Sequence, residues 1–348
     1  MPLIFDGHND VLSKLAKAGG PRAAPGFQKG LDGHLDAVKA SQGGFGGGFF
    51  AMWSPSDMPL GDIDEATRTA PYDVPLPPEI AQPDAWGTIE IQARTLLSLE
   101  KLEALRVCTN VAQIERSRDT GTLAAIMHLE GAEAIGPDLL ELDTLFDMGL
   151  RSLGPVWSRP NIFGHGVPFR FPSDGDIGPG LTDAGKNLVL RCNELRILVD
   201  VSHLNVAGFQ DVVTLSDAPL VATHSNAHAI APHARNLTDA QLAAIAKSGG
   251  LAGLNFESTF VRPDGLPNNK IPVPMVMAHL DHLLNRLGEE GVGIGSDFDG
   301  CVPPEWLNRA DKLPALVTAM ERGGYSAGRI ERVCWGNWMR VLRDTWGG

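Results

Sequence analysis

Short apolar segments alternate with amphipathic ones along the chain. Eight of the apolar segments have the length of strands, and most run without polar interruption, as strands buried on both faces do. They are LIFDGH (3–8), GGFFAMW (47–53), LAAIMHLEG (123–131), LRSLGPV (150–156), RILVDVSH (196–203), PLVATHS (219–225), GLAGLNF (250–256) and VGIGSDF (292–298). The pattern predicts a largely parallel sheet.

The segments between these strands carry helical patterns. Residues 87–105 repeat apolar positions at the spacing of one helix face. Thr182 is a candidate N-cap for the residues that follow it, because its hydroxyl can accept a backbone N–H. Thr238 and Gln241 have the spacing of a capping box, and Gly249 and Gly250 would end that helix.

Alternating strands and helices predict an α/β fold. Eight units in 348 residues suit a closed (β/α)8 TIM barrel of the metal-dependent hydrolase type better than an open sheet. The open, doubly wound sheet is the alternative, but no G-x-G-x-x-G follows the first strand, and GGFGGG (43–48) precedes the second. We expect one domain over residues 1–348, with the proline-rich residues 54–84 as an ordered loop over the barrel mouth.

Composition narrows the possible functions. With 43% hydrophobic and 20% charged residues the chain is typical of globular proteins. A formal charge of −13 without a Lys/Arg cluster argues against nucleic acid and membrane surfaces as partners. We find neither a membrane-helix segment nor a signal-peptide pattern and expect a cytoplasmic protein. The four cysteines form no C-x-x-C pair, so we expect reduced thiols.

Side chains that can bind metal lie where the predicted strands end, and barrel enzymes keep their active sites there. They are His8 and Asp10 at strand one, Glu130 at strand three, His203 at strand five, His224 at strand six and Asp297 at strand eight. Imidazole and carboxylate groups are the ligands expected for zinc, manganese or iron in a water-activating site. His8 and Asp10 are two residues apart on one strand and can therefore bind the same ion.

Taken alone, each of these residues has a structural explanation, such as a buried histidine, an ion-paired acid or, for Asp297 and Asp299, a turn. His128 has suitable chemistry but lies deeper in its strand, so we interpret it as structural or supporting. The coincidence favours a metal site, because burying so many unpaired polar groups at the ends of different strands would be costly.

The motifs around these residues resemble those of a known family. They are DGHND (6–10), HLEGAEAIG (128–136), DVSHLN (200–205), THSNA (223–227), RNL (235–237), GSDFDG (295–300) and GNWMRVL (336–342). In this order, and nearly from end to end, they are similar to the membrane (renal) dipeptidase family of zinc peptidases and its bacterial members.

The resemblance implies a dipeptidase that uses two divalent metal ions, zinc in that family, to hydrolyse the peptide bond of free dipeptides. His8 and Asp10 match the ligands of one ion, and Glu130 matches the residue that bridges both. His203 and His224 match the ligands of the other ion. A hydroxide shared by two such ions is nucleophilic near neutral pH.

Two further residues receive roles from the resemblance. Arg235 matches an arginine that binds the terminal carboxylate of the substrate, for which a planar guanidinium is well suited. Without the resemblance, a surface salt bridge would be the simpler interpretation of Arg235. Asp297 matches an acid near the bridging water and could pass its proton to the leaving amine.

The sequence departs from the family pattern after the fourth strand. The family has a histidine there that steadies the carbonyl oxygen of the substrate, whereas LGPVWSRPNIFGHG has Trp157 at that place. Three explanations stay open: the indole replaces the imidazole, His165 or Arg159 reaches in from the loop, or the metal ions supply this support.

The nearest alternative is another amidohydrolase-type metal hydrolase, acting on a cyclic amide, a β-lactam or an N-acyl amino acid. Many of those begin with H-x-H and use a modified lysine as the bridge, whereas this chain has H-x-D and no lysine on strands one to six. A barrel that binds metal or peptide without catalysis would have lost a ligand or Asp297. Open questions are the preferred dipeptide, its stereochemistry, the native metal and a possible homodimer.

Overall fold

The computed structural model describes residues 1–56 and 65–347, and eight parallel strands form its barrel. The strands are β1 (Ile4–Asn9), β2 (Phe45–Trp53), β3 (Ala124–Glu130), β4 (Leu150–Gly154), β5 (Leu198–Val199), β6 (Val221–Ala222), β7 (Leu251–Leu254) and β8 (Val292–Ile294). Each lies within a segment predicted to be a strand or within two residues of one.

The strands pair in the order β5-β4-β3-β2-β1-β8-β7-β6, so neighbours along the chain are neighbours in the sheet. A parallel bridge between Asp200 and Val221 joins the two remaining edges, and the backbone N–H of Val201 donates to the carbonyl of Val221 over 2.9 Å. The sheet is thereby closed, and the predicted TIM barrel is confirmed. All strands run in one direction, so their carboxyl ends meet at one mouth.

Helices surround the barrel. They are α1 (Val11–Lys17), α2 (Ala24–Lys29), α3 (Ala37–Gly43), α4 (Gln82–Lys101), α5 (Val111–Thr120), α6 (Leu140–Met148), α7 (Asp183–Leu195), α8 (Val206–Leu215), α9 (Asp239–Lys247), α10 (Ser258–Val261), α11 (Val273–Leu287), α12 (Leu313–Arg322), α13 (Ala327–Glu331) and α14 (Asn337–Trp346). A π-helical turn, Arg332–Gly336, joins the last two. None of the helices in the described part of the chain is long and apolar enough to cross a membrane.

Local sequence sets the ends of several helices. The Thr182 hydroxyl accepts the N–H of Gly185 at the start of α7, and Thr238 and Gln241 form a complete capping box on α9. These predictions are confirmed. Helix α4 begins and ends earlier than the predicted 87–105, because Pro83 suits a first turn and Glu103 takes a left-handed conformation with φ 56°.

The barrel interior beneath the mouth is filled by side chains. Inward residues of the strands and one face of α14 form a buried cluster that includes Phe5, Phe49, Ile126, Val221 and Trp338. The Trp338 indole donates to the carbonyl of Ile294 over 3.0 Å. Gly7 makes room for this packing, because a Cβ there would lie 2.3 Å from the Thr223 carbonyl oxygen and 2.5 Å from the Trp338 ring.

The proline-rich segment 54–84 is partly described. Its residues 57–64 lie outside the described residues. Beyond them, a short strand, Tyr72–Asp73, pairs antiparallel with Arg170–Phe171 beside the mouth. The four cysteines are free thiols, as predicted.

Candidate active site

The six metal-competent side chains predicted from the sequence meet at the carboxyl-terminal mouth of the barrel. His8 lies near the end of β1, Asp10 begins the loop after it, and Glu130 is the last residue of β3. His203, His224 and Asp297 follow β5, β6 and β8. Asp297 is partly accessible from the cavity, and the other five are buried.

Glu130 lies at the centre of this group. Its Oε2 is 3.6 Å from Nε2 of His8, and its Oε1 is 3.0 Å from Nε2 of His203 and 3.5 Å from Nε2 of His224. The two carboxylate oxygens therefore face different parts of the cluster. A carboxylate oriented in this way can bridge two cations.

Neighbouring hydroxyls orient the two histidines that face Oε1. The Thr223 hydroxyl donates to Asp200 over 2.6 Å, so its 2.8 Å contact with Nδ1 of His224 must be an N–H donated by the imidazole. The proton of His224 is thus on Nδ1, and Nε2 carries a lone pair. Ser158 lies 2.9 Å from Nδ1 of His203 and orients that ring in the same manner.

The cluster is suited to a cation. The Nε2 atoms of His203 and His224 are 3.1 Å apart, and both face Oε1 of Glu130, so lone pairs converge. The ring of His8 is fully buried, its Nε2 lies 3.3 Å from Oδ2 of Asp10, and its Nδ1 has no hydrogen-bond partner among the described residues. Ligand atoms lie within 4.8 Å of one another in two groups that share His8, one with Glu130 and His224 and one with Asp10 and Asp297.

The pKa values in the cluster reflect burial first and the neighbouring charges second. Burial raises the pKa of Glu130 well above its ordinary value, and nearby carboxylates add to this. Burial alone would lower the pKa of His8, but Glu130 and Asp10 outweigh it and raise that pKa to about 10. Burial, Arg235 and His8 hold the pKa of His203 well below its ordinary value. A divalent ion bound here would supply the positive charge that these buried carboxylates need.

Asp297 lies in a tight turn beside this cluster. It has a left-handed backbone with φ 60°, and its backbone N–H donates to the carbonyl of His8 over 3.0 Å. The Asn255 amide donates to Oδ2 of Asp297 over 2.9 Å. Burial raises the pKa of Asp297, and Asp10 adds to this shift. Gly300 permits the close approach, because a Cβ there would lie 2.1 Å from Oδ2 of Asp10.

A cavity of about 310 Å³ opens onto the cluster and is lined by Arg235, Trp157 and residues of the metal-competent group. Arg235 is 3% exposed, which excludes a surface salt bridge. Burial lowers its pKa to about 10, so the guanidinium stays charged at neutral pH. Nη2 of Arg235 lies 3.2 Å from Nε2 of His203. Because Nε2 of His203 has one lone pair, it can accept from Arg235 or bind a metal ion, but it cannot do both at once.

Trp157, His165 and Arg159 were the candidates for supporting the substrate carbonyl. Within the described part of the chain, Trp157 lines the cavity and the other two do not. The Trp157 ring centroid is 5.9 Å from that of His203. His165 lies outside the lining, beside Gly178. Arg159 is buried and bound elsewhere, because its Nε and Nη2 donate to Glu133 over 3.1 and 3.0 Å.

Sequence reasoning missed several supporting residues. Asn255 is the polar residue in the seventh strand segment, GLAGLNF, and its position after β7 was the available signal. Asp200, in DVSH, accepts hydrogen bonds from Thr223 and Ser202, and no pattern marked it as an orienting group. His233 also lines the cavity, and nothing in the loop sequence PHARN singled it out.

The sequence profile described as membrane dipeptidase, peptidase family M19, matches residues 1–346. This chain belongs to the membrane dipeptidase family. The resemblance found in the motifs is thereby confirmed, and membership in a family of metallopeptidases implies a divalent metal.

Solved structures of family members have the same architecture. A metallopeptidase from Rhodobacter sphaeroides, bound to a phosphinate mimic of the dipeptide L-Ala-D-Ala, is 46% identical, covers 99% of each chain and superposes with a TM-score of 0.97. A structure described as dipeptidase AC is also 46% identical, with a TM-score of 0.97 over 100% of this chain and 99% of that one. Among related sequences, the dipeptidase tcpJ of Claviceps purpurea is 28% identical, and the match covers 98% of this chain and 76% of tcpJ.

Proposed function

We propose that this chain hydrolyses the peptide bond of free dipeptides at a site for two divalent metal ions, with zinc as the native metal. The observation that carries the proposal is the position of Glu130, whose two oxygens face His8 on one side and His203 and His224 on the other. Imidazole and carboxylate ligands without thiolates are typical of catalytic rather than structural zinc sites.

Under this proposal, His8 and Asp10 would hold one ion, His203 and His224 would hold the other, and Glu130 would contribute to both sites. When bound, such ions lower the pKa of water and polarise a carbonyl group. The approach of Asp10 and Glu130 to Nε2 of His8 and the converging lone pairs of the histidine pair support this assignment.

Asp297 is the proposed acid–base residue. Asn255 holds one of its oxygens, which leaves the other free to accept a proton and later to donate it. Burial raises its pKa, so it is a stronger base for the proton of the attacking water than an ordinary aspartate.

The charges along the cavity match a zwitterion. Asp10, Glu130 and Asp297 line one part, and Arg235 contributes a buried cation. A free dipeptide has an amine and a carboxylate separated by one peptide bond, so both ends can be bound at once. The mimic bound by the Rhodobacter sphaeroides relative is also a free dipeptide analogue, which supports this substrate class.

The test is hydrolysis by the zinc-loaded chain of a dipeptide, its N-acetyl derivative, its C-terminal amide and the matching tripeptide. We expect turnover of the free dipeptide, little of the other three, and loss of activity with a chelator. Preferential turnover of the N-acetyl derivative would instead favour the alternative of an N-acyl amino acid hydrolase. The single domain, the homodimer and the cytoplasmic location stay predictions from the sequence.

A further inference from the structure

His233 lies in the loop between β6 and α9, two residues before Arg235. Its side chain is fully buried, and it lines the same cavity as Arg235 and the metal-competent cluster. The proposed mechanism gives it no task. A buried imidazole at the wall of a substrate cavity is an unusual use of a polar side chain unless a ligand contacts it.

The hydrogen bonding of His233 fixes its tautomer. The backbone N–H of Arg235 donates a hydrogen bond to Nδ1 of His233 over 3.0 Å, and a backbone N–H can only donate. Nδ1 is therefore the acceptor, and the single proton of the neutral ring is on Nε2. Burial and the nearby Arg235 cation lower the pKa of His233 well below its ordinary value, which agrees with a neutral ring.

The Nε2–H of His233 has no hydrogen-bond partner within the described part of the chain. The ring is surrounded by aromatic side chains, with centroid distances of 4.6 Å to Phe260, 5.9 Å to Tyr72, 6.3 Å to Phe169 and 6.5 Å to Phe171. The Tyr72 hydroxyl is bound to the carbonyl of Gly265 over 2.7 Å. The donor thus lies among aromatic rings at the cavity wall, where leaving it unpaired is costly.

Arg235 carries a second donor of the same kind. Its terminal nitrogens contact Ser202, Ser225, His203 and the carbonyl of His224, but its Nε–H has no partner among residues 1–56 and 65–347. Both side chains also pack on Phe260, since Cζ of Arg235 is 5.3 Å from its ring centroid. Two residues of one loop that line the cavity thus each have an unpaired N–H, and a carboxylate offers two acceptor oxygens.

We propose that His233 is a specificity-determining residue that donates Nε2–H to the terminal carboxylate of the substrate, while Nε–H of Arg235 binds the other oxygen. The inference rests on the proposed dipeptidase function and adds to it a neutral donor beside the cation. The two donors together discriminate against a C-terminal amide, because its single carbonyl oxygen can accept from only one of them and leaves the other facing an NH2 group.

Two substitutions separate the donor from the structural role of the ring. His233→Asn keeps an acceptor near the position of Nδ1 for the Arg235 N–H but removes the Nε2 donor. His233→Gln keeps an N–H near the position of Nε2 but removes the acceptor. His228→Asn is the matched control, because His228 lies on the same loop and binds the carbonyl of Ser173 over 2.9 Å.

The measurement is kcat and KM of the zinc-loaded full chain on one free dipeptide and on its C-terminal amide. For His233→Asn we expect KM for the free dipeptide to rise roughly tenfold with kcat little changed, and the preference over the amide to fall by the same factor. His233→Gln should retain most of the preference, and His228→Asn should match wild type. Equal changes on both substrates in His233→Asn would overturn the inference.

Wild type serves as the test of the underlying function. If wild type does not hydrolyse the free dipeptide, the proposed function and this inference both fail. If wild type hydrolyses it and His233→Asn keeps the full preference for the free dipeptide over the amide, only the inference fails. If His233→Asn does not fold, NMR of the imidazole N–H signals of wild type tests the inference instead. The His233 signal is identified as the one that is missing in His233→Gln. A downfield Nε2–H shift with a free phosphinate dipeptide but not with its amide supports the inference, and no shift overturns it.

Discussion

Asn255 holds Asp297 by a single amide hydrogen bond, from Nδ2 to Oδ2 over 2.9 Å, and so fixes the carboxylate beside the metal-competent cluster. An asparagine at position 297 can still accept this bond through its amide oxygen. We therefore expect Asp297→Asn to fold and to retain its metal.

The same variant should lose roughly 10²–10⁴-fold in kcat, because an amide cannot take up and return a proton. Steady-state kinetics on a free dipeptide, together with elemental analysis of the variant, measures both properties. Asp183→Asn removes one negative charge from a fully exposed side chain and is the control, which should keep the wild-type kcat. Turnover of Asp297→Asn at the wild-type rate would make Asp297 a turn residue only.

Arg235 should act through the carboxylate of the substrate. Arg235→Ala should lower kcat/KM for a free dipeptide by roughly 10²-fold, because a desolvated carboxylate loses a charged partner. The effect on the C-terminal amide should be much smaller, since the amide has no anion to lose. Arg286→Ala, which removes an exposed arginine paired with Asp239, should leave both substrates unchanged. Equal losses on the two substrates would remove Arg235 from the carboxylate site.

Trp157 should support the carbonyl oxygen of the substrate, because it lines the cavity while His165 does not and Arg159 is bound to Glu133. We expect Trp157→Phe, which removes the indole N–H but keeps a ring, to lower kcat by roughly 10²-fold with KM little changed. His165→Gln should have no effect. A Trp157→Phe enzyme with wild-type kcat would assign this support to the metal ions alone.

His279 should make the stability of the chain depend on pH. It is buried on α11, where Nδ1 accepts the N–H of Ala227 over 3.2 Å and Nε2 donates to the carbonyl of Val261 over 2.9 Å. Burial lowers its pKa from 6.5 to about 4, although the Val261 contact opposes this. The unfolded chain therefore binds this proton first, and stability is lost as the pH falls from about 6.5 towards 4.

Between pH 7 and pH 5 this group should cost the folded state about 2 kcal/mol, at about 1.4 kcal/mol per pH unit below the unfolded pKa. Urea unfolding of the metal-free chain at both pH values measures the loss. His279→Gln, which has no titratable ring, should show a shallower decline by that amount. The same decline in both proteins would show that His279 does not titrate in this range.

The strands and the metal-competent residues could be predicted because one rule connects them. The carboxyl ends of parallel strands meet at one mouth, so His8 and Glu130 were expected to lie close together although they are far apart in sequence. In the structure, Nε2 of His8 is 3.6 Å from Oε2 of Glu130. The strands could be recognised as apolar segments of strand length, and the site residues as polar side chains at the ends of those segments.

Loop geometry could not be predicted in the same way, because contacts from elsewhere in the chain determine it. The loop that carries His233 and Arg235 is held by Asn236, whose amide donates to the carbonyls of Ala231 and Phe260 over 2.9 and 2.8 Å. Sequence spacing alone could not show that Arg235 is buried or that two N–H donors of this loop are unpaired. Residues 57–64 lie outside the described residues, so the prediction for that part of the loop stays untested.

Glu130 is expected to join two metal sites in one dipeptidase. Elemental analysis of the purified full chain, equilibrated with zinc and freed of loosely bound ions, measures this. We expect about two zinc ions per chain, as in two-metal hydrolytic sites. A chain that binds none or one and still hydrolyses free dipeptides at its full rate would contradict this expectation.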